Sequence, residues 1–508
     1  MCTAGGWPVV CVQPSMHDFS EGFGMGTQAT VPPEAATSRV TAQKMTFREG
    51  GMPDLRGCED RPVNEKLYAA IPAAAKVLEL GCGTGRLGEQ YKKAHPGAQW
   101  VGVDVSREAL TIAAARLDAT YCADLDETAL DGVGSGYDCV VMGNVLEHLK
   151  YPERLLEELK AITTPEATLL LGVPNMSHIS VLERLIMGDA CYDDEGLMDR
   201  RHLRFYSCSS LFKMLLDCGW LPHQQDCEQV RTPNMPLTEG LLKLSTELQI
   251  PLSTAVRYLV TYQVIARCTK LPELPELEQP VSVIVPVTNE AQLGLNILKS
   301  PGLQEINAEV IAVQHAASAA EAYAMGSRGA THAWRLFCHQ DVYFPKGSGK
   351  AIAAILSGVE ESRRRSNVLG FAGLALEEGV PRRAAGLFVD RINGWSFAAT
   401  ERAVSVDELC VAIHRDYQYR IDPELGWHLW ATDLCLQALT YPSDPSFTHV
   451  ARVPLFHNSA SDWSLPASYR ESEKRLLAKY PQLQVIMSLC STFSRSEAGE
   501  VVSHATRL

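Results

Sequence analysis

Residues 77–88 read VLELGCGTGRLG, an apolar run that passes directly into Gly81, Gly83, Gly85 and Gly88. Glycines let a backbone turn tightly and let a ligand approach with no Cβ in the way. A helix that starts after such a turn offers unpaired N–H groups to an anion. The stretch from Gly83 to Gly88 fits the G-x-G-x-x-G spacing of a dinucleotide site, while the acid Glu79 lies outside that fingerprint. Asp104 ends the run WVGVDV, 19 residues past Gly85, where a carboxylate can accept both hydroxyls of a ribose. Asn144, Glu147 and His148 follow the apolar run YDCVVM. A second group lies far downstream. Residues 337–345 read FCHQDVYFP, so an apolar run stops at His339, Gln340 and Asp341. Those polar residues suit either a turn cap or a metal-bound phosphate site. Asp and His both suit Mn²⁺, and oxygen ligands suit Mg²⁺.

The elements that must position these residues repeat along the chain. From Lys76 the strand-like runs KVLEL, WVGVDV, YDCVVMGNV and ATLLLGVPN alternate with helical stretches. In PERLLEELKAIT, Leu155, Leu159 and Ile162 share one helical face. Strand–helix alternation predicts an α/β fold whose parallel sheet is covered on both faces. The run YLVTYQVIARCTK is expected to close that sheet's edge. A Pro/Glu-rich stretch at 273–280 reads as a stiff linker, and VSVIVPVTNE then opens a second sheet. Residues 1–52 mix Gly, Pro, Ser and Thr without period and are expected to be disordered, leaving domains at 53–272 and 281–508.

With 508 residues, each half is long enough to bury its own core. A formal net charge of −14 argues against a nucleic-acid partner. No apolar run is long enough for a membrane span. The 15 cysteines are scattered with no C-x-x-C pair, and several, such as Cys139 and Cys435, sit inside apolar runs. Free thiols of that kind suit a cytoplasmic location. Met142 and Cys139 read as core. Oligomeric state is not legible.

The order E-x-G-x-G-x-G, Asp104, Asp124 at the end of ATYCADL, the E-H-L after the fourth strand, and EGLMDRRHLRFYS at 195–207 resembles class I S-adenosylmethionine (SAM) methyltransferases of the ubiquinone and methionine-biosynthesis type. The resemblance spans about 76–265. It implies a Rossmann-like sheet. It also implies a SAM site built from Glu79, Gly81, Gly83, Gly85, Asp104, Asp124, Leu125 and Asn144. The reaction would be an in-line displacement at the sulfonium methyl, in which the protein mainly aligns the partners. An alcohol nucleophile also needs a base. His148 and His202 are the candidates, since histidine titrates near neutrality; Glu147 and Asp199 are placed to orient them.

VSVIVPVTNE and the H-Q-D-V run resemble family-2-like glycosyltransferases of the GT-A fold. That resemblance implies a nucleotide-sugar site at Pro286 and Asp341. It implies a divalent cation, Mn or Mg, held by Asp341 and His457, and a general base at Asp433. The pattern departs from the family's: the first acid of D-x-D is absent, and Ala324 stands where an asparagine is usual. Trp395, Trp427 and Trp430 are candidates to stack on a sugar. The expected function is therefore a bifunctional enzyme, glycosylating an acceptor and O-methylating the same glycan or glycoside. The alternative is a methyltransferase whose second half only binds a glycan or nucleotide-sugar.

Overall fold

The computed structural model describes residues 62–229, 235–247, 252–272, 279–377, 380–385, 387–390, 403–417, 420–439, 448–459, 465–496 and 500–505. The expected extension at 1–52, most of the linker at 273–280, and Trp395 lie outside the described residues.

The first half is built on seven strands: β1 Lys76–Leu80, β2 Gln99–Asp104, β3 Ala119–Cys122, β4 Tyr137–Gly143, β5 Thr163–Pro174, β6 Trp220–Gln229 and β7 Thr261–Lys270. They lie in the order β3-β2-β1-β4-β5-β7-β6. The first five are parallel, and β7 runs antiparallel to both β5 and β6. The central strands carry almost unbroken apolar runs because helices cover both faces; all but the first residue of β1 is buried. Helix Pro152–Ile162 turns Leu155 and Leu159 into this core, as their spacing predicts. The expectation that β7 closes the edge is corrected: β7 lies inside, and β6 takes the edge. Its sequence WLPHQQDCEQ explains this, because an edge strand tolerates a proline and a run of polar residues.

The second half has a six-stranded sheet of β8 Val281–Val287, β9 Glu309–Gln314, β10 Trp334–Cys338, β12 Val368–Gly370, β17 Cys410–His414 and β18 Thr448–Val450. Their order is β18-β12-β17-β10-β8-β9. It is mixed rather than parallel: β17 runs antiparallel to both neighbours. A hairpin of β13 Ala372–Glu377 and β14 Val380–Ala385 pairs with β16 Ser405–Val406. Strands β20 Val485–Met487, β21 Ser491–Arg495 and β22 Val501–Ala505 form a meander. A further small sheet joins β11 Val342–Tyr343, β19 Leu455–His457 and β15 Phe388–Asp390 in the order β11-β19-β15.

That small sheet packs on the first half. Tyr343, Val389 and Phe456 belong to the same apolar cluster as Phe212, Leu215 and Leu216 of helix Cys208–Asp217. Tyr343 Oη donates to Asp217 at 2.7 Å, and Lys213 Nζ lies 4.6 Å from the Tyr343 ring centroid. Ser209 Oγ donates to Asn458 Oδ1 at 2.7 Å.

Candidate active site and a second side-chain cluster

The strand order of the first sheet reverses between β1 and β4. Ligands of open α/β sheets bind where that reversal opens a crevice at the strands' carboxyl ends. Gly81 and Asn144 follow those two strands, and both line a cavity of about 630 Å³. Gly81 has φ +72° and an added Cβ would meet Val145 at 2.7 Å, so the turn itself requires glycine. Gly83 has φ +53° and open space where a Cβ would stand, so it leaves its side of the cavity to a ligand. Gly85 starts helix Arg86–Ala94 from a left-handed conformation.

Glu79 lines the same cavity. Its Oε2 accepts from Trp100 Nε1 at 2.8 Å, and burial pushes its carboxyl up to about 8. Asp104 does not line the cavity but braces it: Oδ2 accepts from Gly83 N at 2.8 Å and Oδ1 from Ser106 N at 2.9 Å. Asp124 accepts from Asp126 N at 2.9 Å, and Leu125 is buried with its carbonyl held by Arg154. Neither residue lines the cavity. Asn144 holds φ +57°, a conformation asparagine tolerates better than most residues. Its Oδ1 accepts from Gln263, whose Oε1 accepts from Asn64 at 2.7 Å.

Glu147, His148 and His202 line the same cavity, with carboxylate oxygen and ring nitrogens all within 4.8 Å of one another. The two imidazole centroids are 4.9 Å apart. His148 Nδ1 lies 3.2 Å from the Arg201 carbonyl, and His202 Nδ1 lies 3.2 Å from the Leu197 carbonyl. A carbonyl only accepts, so each Nδ1 carries a proton, and in the neutral ring Nε2 is then the atom with a lone pair. Burial lowers the His148 pKa, which also favours the neutral ring. Glu147 is 0% exposed and neither carboxylate oxygen has a partner. Burial pushes its carboxyl up to about 8. Asp199 accepts from the Arg201 Nε at 3.0 Å and from its backbone N–H at 2.8 Å, and so fixes the loop bearing His202 rather than either ring.

The second half gathers another set. His339, Asp341 and His457 place ligand atoms within 4.8 Å of one another, although Asp341 and His457 are distant in sequence. The antiparallel pairing of Val342 with His457 makes the meeting. His457 Nε2 is 3.5 Å from Asp341 Oδ1, and its Nδ1 is 2.9 Å from Asp390 Oδ2. Burial opposes charge on this ring, but the two carboxylates outweigh it and push His457 up to about 10. Gln340 does something else. Its Oε1 accepts from Thr288 N and Asn289 N, at 2.9 Å each, tying β10 to the end of β8. Pro286 lies within β8 opposite Val313, two residues before that tie.

Two expected residues are placed otherwise. Asp433 is 0% exposed; Tyr480 Oη donates to its Oδ1 at 2.8 Å, and Lys479 Nζ and Gln437 Nε2 donate to its Oδ2 at 2.8 and 2.6 Å. Such a carboxylate, fully buried and tied by three donors, anchors a helix, whereas the expected base would have to reach an acceptor hydroxyl. Trp430 is 1% exposed and packs against Tyr323 and Phe337, so it is core and offers no face to a sugar, whereas Trp427 is exposed.

Residues 78–169 match the family model described as a methyltransferase domain. This stretch is a class I methyltransferase domain. A malonyl-[acyl-carrier protein] O-methyltransferase of Alcanivorax borkumensis is 30% identical over 131 residues, 24% of this chain and 43% of the relative. A ubiquinone biosynthesis O-methyltransferase of Vibrio campbellii is 29% identical over 150 residues, 28% of this chain and 61% of the relative. The chain thus spans about half the length of the curated relatives it matches. A SAM-dependent methyltransferase of Archaeoglobus fulgidus superposes at TM-score 0.30 and 17% identity, covering 41% of this chain and 90% of that one. The plantazolicin methyltransferase BpumL, solved with SAH, gives TM-score 0.27 and 18% identity, covering 41% and 80%.

The family match ends before the second half begins. Within the methyltransferase domain, sequence reasoning missed Gln263 and Asn64, which reach the cavity from β7 and from the residues before β1. Nothing in their local sequence marks them, because the fold alone brings them to Asn144. Asp390 was missed for the same reason. No helix among the described residues is long and apolar enough to cross a membrane.

Proposed function

We propose that this chain transfers the methyl group of SAM to a hydroxyl group. One observation carries the reading: the glycine turn with Glu79 and the Glu147–His148–His202 group line one cavity at the sheet's reversal point. The curated relatives named above are O-methyltransferases, which agrees with an oxygen nucleophile. SAM supplies an activated methyl on a sulfonium. The chain's part is to seat it on Gly81, Gly83 and Asn144 and to hold the acceptor oxygen in line with the S–CH₃ bond. The O–CH₃ bond forms as the S–CH₃ bond breaks, and the bonding pair stays on sulfur. The hydroxyl proton leaves toward the Nε2 lone pairs of His148 and His202. Calorimetric titration with SAM and with NADH tests the cofactor; binding of NADH in place of SAM would overturn the reading.

For the second half, the meeting of His339, Asp341 and His457 favours a divalent-cation site of the kind that steadies a departing pyrophosphate. The donor set of two imidazoles and a carboxylate fits Mn²⁺. On that basis the second half is read as a GT-A-like nucleotide-sugar domain acting on the glycan or glycoside that the first half methylates. Mn²⁺-dependent binding of UDP- or GDP-sugars tests it, and sugar-nucleotide hydrolysis separates a working transferase from a binding module.

A further inference from the structure

The second half holds a cavity that neither proposed reaction uses. It measures about 260 Å³ and lies between helix Ala319–Gly329, strands β10 and β17, and helix Trp430–Leu439. Arg335, Arg415 and Arg420 line it, and no aspartate or glutamate does. Among the described residues, none of the three guanidinium groups forms an ion pair or a hydrogen bond. The Arg335 Nε is buried without a partner. Arginine stays charged at any ordinary pH, so three like charges share one space. Burial, and then Arg415, push the Arg335 pKa down. The chain carries a net charge of −14, so acids abound in the sequence and are missing from this lining. Buried polar groups are almost always paired, and an orphan of this kind calls for an explanation.

The sheet builds this place. β17 runs antiparallel to β10, and Arg335 stands opposite Ile413. Arg415 N donates to the Ala333 carbonyl at 2.7 Å, which carries the pairing past the strand's end and brings Arg415 beside Arg335. Side chains alternate along a strand, so Arg335 and Phe337 share one face. Phe337, Ile413 and Leu434 line the cavity and belong to one apolar cluster. Ala320 and Ala324, one helical turn apart, bring only methyl groups to the wall and leave the space open. β10 runs from Trp334 to Cys338, so Arg335 lies at the other end of that strand from His339 and Asp341. None of His339, Asp341 and His457 lines this cavity.

We propose that this cavity binds a small phosphate monoester, with the phosphate held by Arg335, Arg415 and Arg420 and the organic part set against Phe337, Ile413 and Leu434. A phosphate monoester brings close to two negative charges where a carboxylate brings one, and so offsets more of the triple positive charge. Guanidinium forks match phosphate oxygens in bidentate pairs. The volume falls below the about 300 Å³ at which drug-sized sites begin, which limits the organic part to roughly one ring. The occupant touches no residue of either proposed reaction centre, so it is bound and not converted. Its binding needs neither SAM nor a cation.

Calorimetry on full-length, metal-free protein tests this with phenyl phosphate, inorganic phosphate and benzoate. Removing metal keeps the His339–Asp341–His457 cluster from holding phosphate through a cation. Phenyl phosphate should bind once per chain, at least about 10-fold more tightly than the other two, which lack the ring or the second charge. Arg335→Met and Arg415→Met should each weaken it about 10–100-fold, the loss of one charge-assisted pair. Without ligand, Arg335→Met should melt at a higher temperature than wild type, because it removes an unpaired charge; an arginine with a purely structural role would lower it. Arg415 is exposed, so Arg415→Met carries the binding test independently of how well Arg335→Met folds. No binding of phenyl phosphate to wild type, or unchanged binding in Arg415→Met, would overturn the site. Equal binding of inorganic phosphate or benzoate would overturn the phosphate-monoester assignment.

Discussion

Phe212 and Phe456 meet edge to face, with ring centroids 6.4 Å apart and planes at 77°. One belongs to the helix that follows the methyltransferase pocket loop, the other to the strand that ends at His457. Phe456 is 0% exposed. Phe456→Ala should destabilise the protein by about 3–5 kcal/mol, the usual cost of emptying a buried aromatic site. Chemical denaturation followed by fluorescence measures it. A cost under about 1 kcal/mol would mean the contact between the halves is incidental.

Asp104 holds the glycine turn in place through Gly83 N. Asp104→Ala should weaken SAM binding by about 1.5–3 kcal/mol, the scale of hydrogen bonds to a charged group. Calorimetry reads this directly. Unchanged affinity would remove Asp104 from the cofactor site.

His148→Ala and His202→Ala should bind SAM as wild type does, because neither ring belongs to the glycine turn that seats the cofactor. Methyl transfer should fall about 10²–10⁴-fold in at least one of them. Single-turnover assays with labelled SAM separate binding from chemistry. Full activity in both variants would place the activating group elsewhere.

Glu79 predicts a pH dependence. Burial raises its carboxyl from 4.5 to about 8. Below pH 4.5 the group is neutral in folded and unfolded chains alike, so folding gains nothing from its ionisation and loses nothing. Between pH 4.5 and about 8 it ionises more readily in the unfolded chain, so its contribution to stability falls as pH rises. Glu79→Gln should remove a pH-dependent loss of about 3–5 kcal/mol across that window. Denaturation at pH 5 and pH 8 compares the two proteins. Parallel pH profiles would show that the carboxyl titrates normally.

Asp390 orients His457 from behind, its Oδ2 accepting from Nδ1 at 2.9 Å. Asp390→Asn should keep the fold and weaken Mn²⁺ binding about 10–100-fold, the usual effect of losing such a support. Asp341→Asn should cost more, because it removes a ligand. Mn²⁺ titration followed by electron paramagnetic resonance ranks them. Equal binding in all three proteins would reduce His339-Gln340-Asp341 to a turn cap.

Local patterns made part of this legible. The glycine turn announces itself, because Gly81, Gly83 and Gly85 all adopt positive φ that other residues resist. Asp341 and His457 were legible as strand-end polar residues. Their approach was not, since it depends on the pairing of β11 with β19. The place of β7 inside the sheet was also hidden. Its apolar run fits an edge or an interior position, and only the polar β6 beyond it decides. Asp433 shows the opposite case. Its position at the first turn of helix Trp430–Leu439 matched a motif, but Lys479 and Tyr480, which hold its carboxylate, come from a helix end no local pattern connects to it. Glu147 read as an orienting neighbour of two histidines. That its carboxyl oxygens have no hydrogen-bond partner is a property of packing, which a string of residues does not express.

The seam between the halves has a hereditary consequence. Lys213, Ser209 and Asp217 on one side answer to Tyr343, Asn458 and Phe456 on the other. A substitution on either surface is therefore judged by a surface encoded far away in the same chain. Removing either half would bare the apolar surface that Tyr343 and Phe456 share with Phe212, Leu215 and Leu216.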